Sequence, residues 1–306
     1  MEKACQYKNY LLYAVAFLSL GLVIALLFVP SPALKSLSTG HMLFLTVLFI
    51  IPSFLFFTGA RYIRGFFVII SLALFGFLQM GCPMLNGSLE LILLNLSQTE
   101  DVVLFIVKTG AIIVLTLLFS RYFCGWICPQ GILQDLVHQP KLRVVVPQGL
   151  DRRLKLLKYV MLVIMTLSVL VWHFRLFEVI GPFKVVFNLN GSALLIALLV
   201  FWLALSVIIE RPFCRYLCPG GSLLAIIGKW SFLGIRKDAG KECRHCRQCE
   251  KTCPMGAIEV RDDGVKIHRD ECIACMECRH TCPQGLLGYG ISSRMQNKSS
   301  QGGNGI

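Results

Sequence analysis

Charge is scarce in this chain. Asp, Glu, Lys and Arg make up 15% of its 306 residues, against roughly 25% in ordinary soluble domains. Acidic residues are the scarcer kind, 17 against 30 Lys and Arg. With a mean hydropathy of +0.68, this excludes a purely soluble globular enzyme, a disordered chain and a collagen-like fibre. The chain also has no G-x-G-x-x-G, no P-loop and no Ser/His/Asp arrangement, so phosphate cradling and nucleophilic hydrolysis lack their signatures. No C-x-x-C-H occurs, which argues against c-type haem. Isolated cysteines are few: of fourteen, only Cys5 and Cys82 stand outside a motif, and that grouping points to metal rather than a disulfide framework. The +13 net charge sits on a membrane-rich sequence. There it is a cytoplasmic bias and not a nucleic-acid footprint, so no nucleic-acid partner is expected.

Long apolar runs are what the chain has instead. Six approach the about 20 residues that a bilayer crossing needs: Leu11–Val29, Met42–Thr58, Ile63–Met80, Val102–Phe119, Leu156–Trp172 and Ala193–Ile209. The first is too long for a signal-peptide core and lacks a small-residue cleavage site, so it reads as a retained anchor. One set of connecting loops carries eleven Lys and Arg, the alternate set three. The richer side is the cytoplasm, which places both termini and everything after Ile209 inside. The expected fold class is an all-α polytopic membrane domain of about six helices over residues 1–235. A small α+β two-[4Fe–4S] ferredoxin-like domain follows over 236–290, then a disordered tail over 291–306. Ala257–Val260 and Val265–His268 flank Arg261-Asp262-Asp263-Gly264, a small hairpin.

The strongest chemical signal is Cys243-x2-Cys246-x2-Cys249-x3-Cys253-Pro254, repeated 29 residues later as Cys272-x2-Cys275-x2-Cys278-x3-Cys282-Pro283. Three thiolates at this spacing wrap one face of a cubane cluster, and the fourth ligates the other cluster. Cluster one is therefore expected on Cys243, Cys246, Cys249 and Cys282, cluster two on Cys272, Cys275, Cys278 and Cys253. Zinc favours two separated C-x2–4-C pairs over such runs. This doublet resembles the bacterial two-cluster ferredoxin domain.

A second duplication is R-x-F-C-x3-C-P-x-G, running from Arg121 through Cys124 and Cys128 to Gly131, and from Arg211 through Cys214 and Cys218 to Gly221. Each copy follows a span that enters the cytoplasm. A helix continuing through the motif puts its two cysteines on one face, although the following Pro favours a stop or kink there. The two pairs could converge into a four-thiol metal centre, or serve as redox-active thiols; the bland alternative is buried packing cysteines. Lys108 is the one clear charge inside a span and a quinone-site candidate. It lies only about 9 Å from the outer end of its span, so the leading expectation is that it snorkels to the periplasm. His173, Arg175 and Glu178 follow the fifth span outside, where His and Glu could accept quinol protons or simply be solvated.

Two C-x3-C-P motifs behind membrane spans, then the ferredoxin doublet, resemble the NapH-type membrane ferredoxins, the quinol dehydrogenase subunits associated with periplasmic nitrate reductase. The membrane portions of the NosR and MauN proteins are similar. The resemblance covers about Val102 to Gly285. It implies a subunit of an anaerobic respiratory oxidoreductase in the bacterial cytoplasmic membrane. Such a subunit exchanges electrons between the quinone pool and a redox partner of ferredoxin-like or cytochrome c type. The chain departs from that family in its six expected spans, where four are typical. A second resemblance is to the membrane ferredoxins of cytochrome oxidase maturation, in which the C-x3-C-P thiols would bind or reduce copper. A third reading is an anchor for a soluble dehydrogenase.

Overall fold

The computed structural model describes residues 85–94, 100–188, 191–238, 241–262 and 264–291, with a few positions between 64 and 76. The first two expected spans and much of the third, with Cys5 and Cys82, lie outside the described residues, as does the tail from 292. All the elements below belong to one compact unit beginning at Val68.

Three apolar helices fall where the last three spans are expected. They are α2 (Glu100–Phe119), α6 (Leu157–Trp172) and α9 (Ala193–Ile208). Between and around them lie α1 (Leu85–Leu94), α3 (Tyr122–Trp126), α4 (Pro129–Val137), α5 (Gln148–Leu154), α7 (Leu176–Ile180), α8 (Lys184–Asn188), α10 (Pro212–Tyr216) and α11 (Pro219–Gly228). Among the described residues one helical stretch, Gln148–Trp172, is long and apolar enough to cross a membrane. At about 1.5 Å per residue the 16 residues of α9 span roughly 24 Å, short of the about 30 Å of hydrocarbon. Helix α2 opens on Glu100 and Asp101 and then runs from Val102 to Phe119 with Lys108 as its one charge.

α1 packs against α2 and α6, and α11 against α2 and α6, while α9 lies on α4. One core gathers Met165, Phe177, Phe183, Phe187, Leu199 and Phe213. Phe213, the aromatic of the second R-x-F-C motif, stacks edge-on to Phe183 at 5.2 Å and to Trp202 at 5.4 Å. The motif is therefore anchored by burial of its own phenylalanine.

The cysteine-rich region forms two small antiparallel ladders. β1 (Leu233–Lys237) pairs with β4 (Leu287–Ile291), and β2 (Ile258–Arg261) with β3 (Gly264–Ile267), the latter being the expected hairpin. Two short helices, α12 (Gln248–Thr252) and α13 (Glu277–Thr281), carry the third cysteine of each run and pack together. Two hydrogen bonds to backbone carbonyls tie this region to α2: Phe232 N donates to Leu117 O at 2.8 Å and Tyr289 Oη to Phe119 O at 2.8 Å.

Lys108 corrects the sequence reading. It is only 1% exposed, inside a helix that packs against α1 and α11. It is enclosed by the bundle and does not snorkel to a surface.

Candidate iron–sulfur and thiol sites

The C-x3-C-P segments are not continuations of the helices before them. α2 stops at Phe119, and Ser120 turns the chain with φ +67; after α9, Arg211 does so with φ +53. A non-glycine residue in this region is uncommon, so both turns are fixed by their surroundings. A five-residue helix follows, α3 or α10, ending before the second cysteine. Cys128 and Cys218 then cap α4 and α11, with Pro129 and Pro219 at the first helical position. Proline suits that position because its missing N–H would have no partner there. The proline thus starts a helix rather than breaking one.

Both motifs interlock. Arg211 sends Nη1 to Cys124 O at 2.5 Å and holds Asp135 bidentately at 2.5 and 2.6 Å. Arg121 reaches Asp270 O at 3.0 Å and Glu271 at 3.3 Å. The closing glycine of each motif faces the arginine of the other. A Cβ on Gly131 would stand 3.0 Å from Arg211 Nη1, and one on Gly221 3.1 Å from Arg121 Nη2. This crossed packing is the physical reason for glycine in R-x-F-C-x3-C-P-x-G.

It also brings the four motif thiols together. Burial pushes Cys128 up to about 12, with Cys124 and Cys218 adding to the shift. Cys214 rises through burial and through Cys218, Cys128 and Cys124. Uncharged amides point at the sulfurs: Gln134 Nε2 lies 3.0 Å from Cys214 Sγ and Asn86 Nδ2 3.7 Å from Cys218 Sγ. Gly221 N donates to Cys218 Sγ at 3.3 Å. Asn86, Gln134 and Asp135 were not identifiable from sequence, since no repeat or motif marks them.

The eight ferredoxin-type cysteines surround two small cavities. One is lined by Cys243, Cys246, Cys249 and Cys282, the other by Cys253, Cys272, Cys275 and Cys278. Each therefore takes three thiols from one run and one from the other. Among the described residues no three His, Cys, Asp or Glu side chains converge closely enough for a single metal ion. The donor set fits an iron–sulfur cluster. Burial pushes Cys249 and Cys272 each up to about 11 and Cys278 higher still, and the charge of a bound metal would favour their thiolates. Backbone N–H groups already aim at sulfur, from His245 to Cys243 at 3.4 Å and from Ala257 to Cys253 at 3.2 Å.

The second run is seated on the first C-x3-C-P motif. Trp126 Nε1 donates to Ala274 O at 3.0 Å and Ser120 Oγ to Cys272 O at 3.0 Å. Gly125 lies so close to Ile273 that a Cβ would come within 2.3 Å of its carbonyl oxygen. Arg211 stands within electrostatic reach of both Cys214 and Cys275. The buried carboxylate Glu271, which burial alone would raise, is held low by Lys158 and Arg121. Lys158 meets it at 2.5 Å. His173 and Arg175 follow the C-terminal end of α6, where His173 is exposed.

Comparison with known proteins agrees with this layout. A 4Fe-4S binding domain family matches residues 102–147 and again 191–237, and a 4Fe-4S dicluster domain family matches 242–286. An uncharacterized protein of Methanocaldococcus jannaschii is 31% identical over 188 residues, 59% of this chain and 76% of the relative. Regulatory protein NosR of Pseudomonas aeruginosa is 35% identical over 53% of this chain and 25% of its own length. Ferredoxin-type protein NapH of Haemophilus influenzae is 30% identical over 49% of this chain and 53% of its own. The chain thus spans three quarters of the archaeal relative, about half of NapH and a quarter of NosR. No solved structure matches. 4Fe-4S binding is the chemistry that the matched domain families name, and the chain belongs to the NapH/NosR-like family of 4Fe-4S membrane proteins.

Proposed function

We propose that this protein exchanges electrons between the membrane quinone pool and a redox partner of an anaerobic respiratory chain, through two [4Fe–4S] clusters. Cys243, Cys246, Cys249 and Cys282 hold one; Cys272, Cys275, Cys278 and Cys253 hold the other. The observation that carries this is the pair of cysteine-ringed cavities, each drawing on both runs, as linked clusters require. Clusters supply one-electron chemistry, whereas quinol releases two electrons and two protons, so two sites in one domain separate the pair. The run seated against the helical region, Cys272–Cys282, faces the membrane side of the route. The partner, a ferredoxin-like or cytochrome c-type subunit, meets the other run. The chain crosses the bacterial inner membrane six times with both termini and the cluster domain inside. Reporter fusions after Asn190 should read periplasmic and fusions after Gln139 cytoplasmic.

The C-x3-C-P motifs follow α2 and α9 in the chain, and Gly125 and Trp126 of the first meet the Ile273–Ala274 backbone, which supports a role in electron exchange with the membrane. They could hold a further metal centre of their own. The deciding experiment mixes quinol with purified protein and follows the cluster spectra. Wild type should be reduced. A Cys124→Ser/Cys214→Ser variant should keep its dithionite-reducible clusters yet respond slowly to quinol. Wild-type quinol kinetics in that variant would instead favour the alternative, copper reduction or oxidoreductase assembly at soft thiolates.

A further inference from the structure

A cavity of about 300 Å³ opens where the α5–α6 stretch meets the turn after Cys253. Three cations from the helical region grip that turn by its carbonyls. Arg143 Nη2 reaches Cys253 O at 3.0 Å, Arg215 Nη1 reaches Pro254 O at 3.3 Å and Lys155 Nζ reaches Gly256 O at 3.1 Å. The same cations are paired with carboxylates. Arg143 meets Glu210 at 2.9 Å, while Arg215 and Lys155 meet Asp151 at 2.7 and 2.8 Å. In all, five Lys and Arg and six Asp and Glu line the space. The walls are near neutral, and Arg143, Arg152, Lys155 and Arg215 are each paired with a lining carboxylate, so an anion gains little by entering. A neutral molecule with polar ends finds hydrogen-bonding groups throughout.

The lip of the cavity is apolar and open. Val144, Val145 and Leu156 line it and are 54%, 55% and 60% exposed. They sit at the start of the helical stretch long enough to cross a membrane, and exposed Leu157 and Val160 continue the surface along α6. A water-soluble ligand gains nothing from such a lip. A ligand that arrives dissolved in lipid can keep its tail on it while the head enters.

We infer that this cavity binds the headgroup of a membrane quinone, the tail leaving over Val144, Val145 and Leu156. The inference rests on the quinol reading above and adds its place in the fold. About 300 Å³ lies at the small end of ligand pockets and suits one ring. Tyr159, Arg152 and His268 offer polar contacts from different walls, and Cys253 lines the cavity itself. A quinone here adjoins Cys253, a thiol of the inner cysteine set.

Full-length protein in nanodiscs, illuminated with a photoreactive azidoquinone, tests this. Label should fall within 143–159 or 250–259 and be displaced by excess unmodified quinone. Leu156→Trp, at an exposed position, should lower labelling and slow quinol-driven reduction by about tenfold or more, with dithionite reduction unchanged. Val145→Trp provides an independent second block. Label elsewhere, with both variants reduced by quinol at the wild-type rate, would overturn the site and leave quinol exchange standing. Displaceable label in the cavity of a protein that quinol fails to reduce would keep the site and overturn the exchange reading. Displacement by anionic phospholipid but not by quinone would make the cavity a lipid site and overturn the inference.

Discussion

The two cysteine runs share one backbone and differ in what they face. His245 and Ala274, Arg247 and Met276, and Gly256 and Gly285 occupy equivalent positions 29 residues apart. Each pair has matching positive φ: 53 and 52°, 54 and 65°, and 55 and 55°. Yet the residues between the cysteines diverge. The first run reads C-R-H-C-R-Q-C and the second C-I-A-C-M-E-C. Arg244, His245 and Arg247 are exposed, whereas Ile273, Ala274 and Met276 are 2%, 0% and 4% exposed against the rest of the protein. Cys246 is exposed and its counterpart Cys275 is not. Duplication supplies the ligand geometry, and three side chains decide which copy docks on the helical region.

The largest expected effect comes from erasing that difference on the docked side. Ile273→Arg buries a charge beside Gly125 with no room to leave, and an uncompensated buried charge costs roughly 3–5 kcal/mol. Thermal unfolding in detergent should show the loss. The mirror change, Arg247→Met on the open run, should stay within about 0.5 kcal/mol, as exposed substitutions do. Next in size, Cys253→Ser and Cys282→Ser separate the two sites chemically. Wild type should carry about eight iron and eight sulfide. Cys253→Ser should damage the cluster whose other three thiols lie in the second run, and Cys282→Ser the one based on the first. Loss of only the same-run cluster in either variant would overturn the crossed assignment.

The smallest effect concerns a feature that only the first half has. Glu259 in β2 is held near about 2 by hydrogen bonds from Arg261 and, against the opposing pull of burial, from His268; its equivalent 29 residues on is Gly288. A depressed carboxyl pKa stabilises the fold above its unfolded value near 4.5, and that stability is lost as pH falls toward about 2. Acid titration of the fold should therefore be slightly shallower over this window in Glu259→Gln. The group is open enough to solvent that the difference will be small.

Much of this comparison was legible in the sequence. The 29-residue repeat, the hairpin and the doubled C-x3-C-P motif all rest on local spacing, and local spacing survives folding. The residues that position the sites were not. Asn86 lies 132 positions from Cys218, Asp135 76 from Arg211 and Glu271 150 from Arg121. Nothing local marks their partners, because each exists only once the helices pack. Lys108 shows the same limit. Its depth within one helix suggested an outer surface, and its neighbours from other elements enclose it instead. The cysteine spacing said nothing of Ile273, Ala274 and Met276, and what that loop meets became clear only with Trp126 and Gly125 in place.

The central claim is that the buried run lies on the membrane side of the electron route and the open run on the partner side. Rapid-freeze EPR of wild-type protein mixed with a quinol analogue tests it most directly, with each cluster signal identified by its loss in Cys253→Ser or Cys282→Ser. The signal that Cys253→Ser removes should appear first, the other following it. If the signal removed by Cys282→Ser appears first, the route runs the other way round and the account is contradicted.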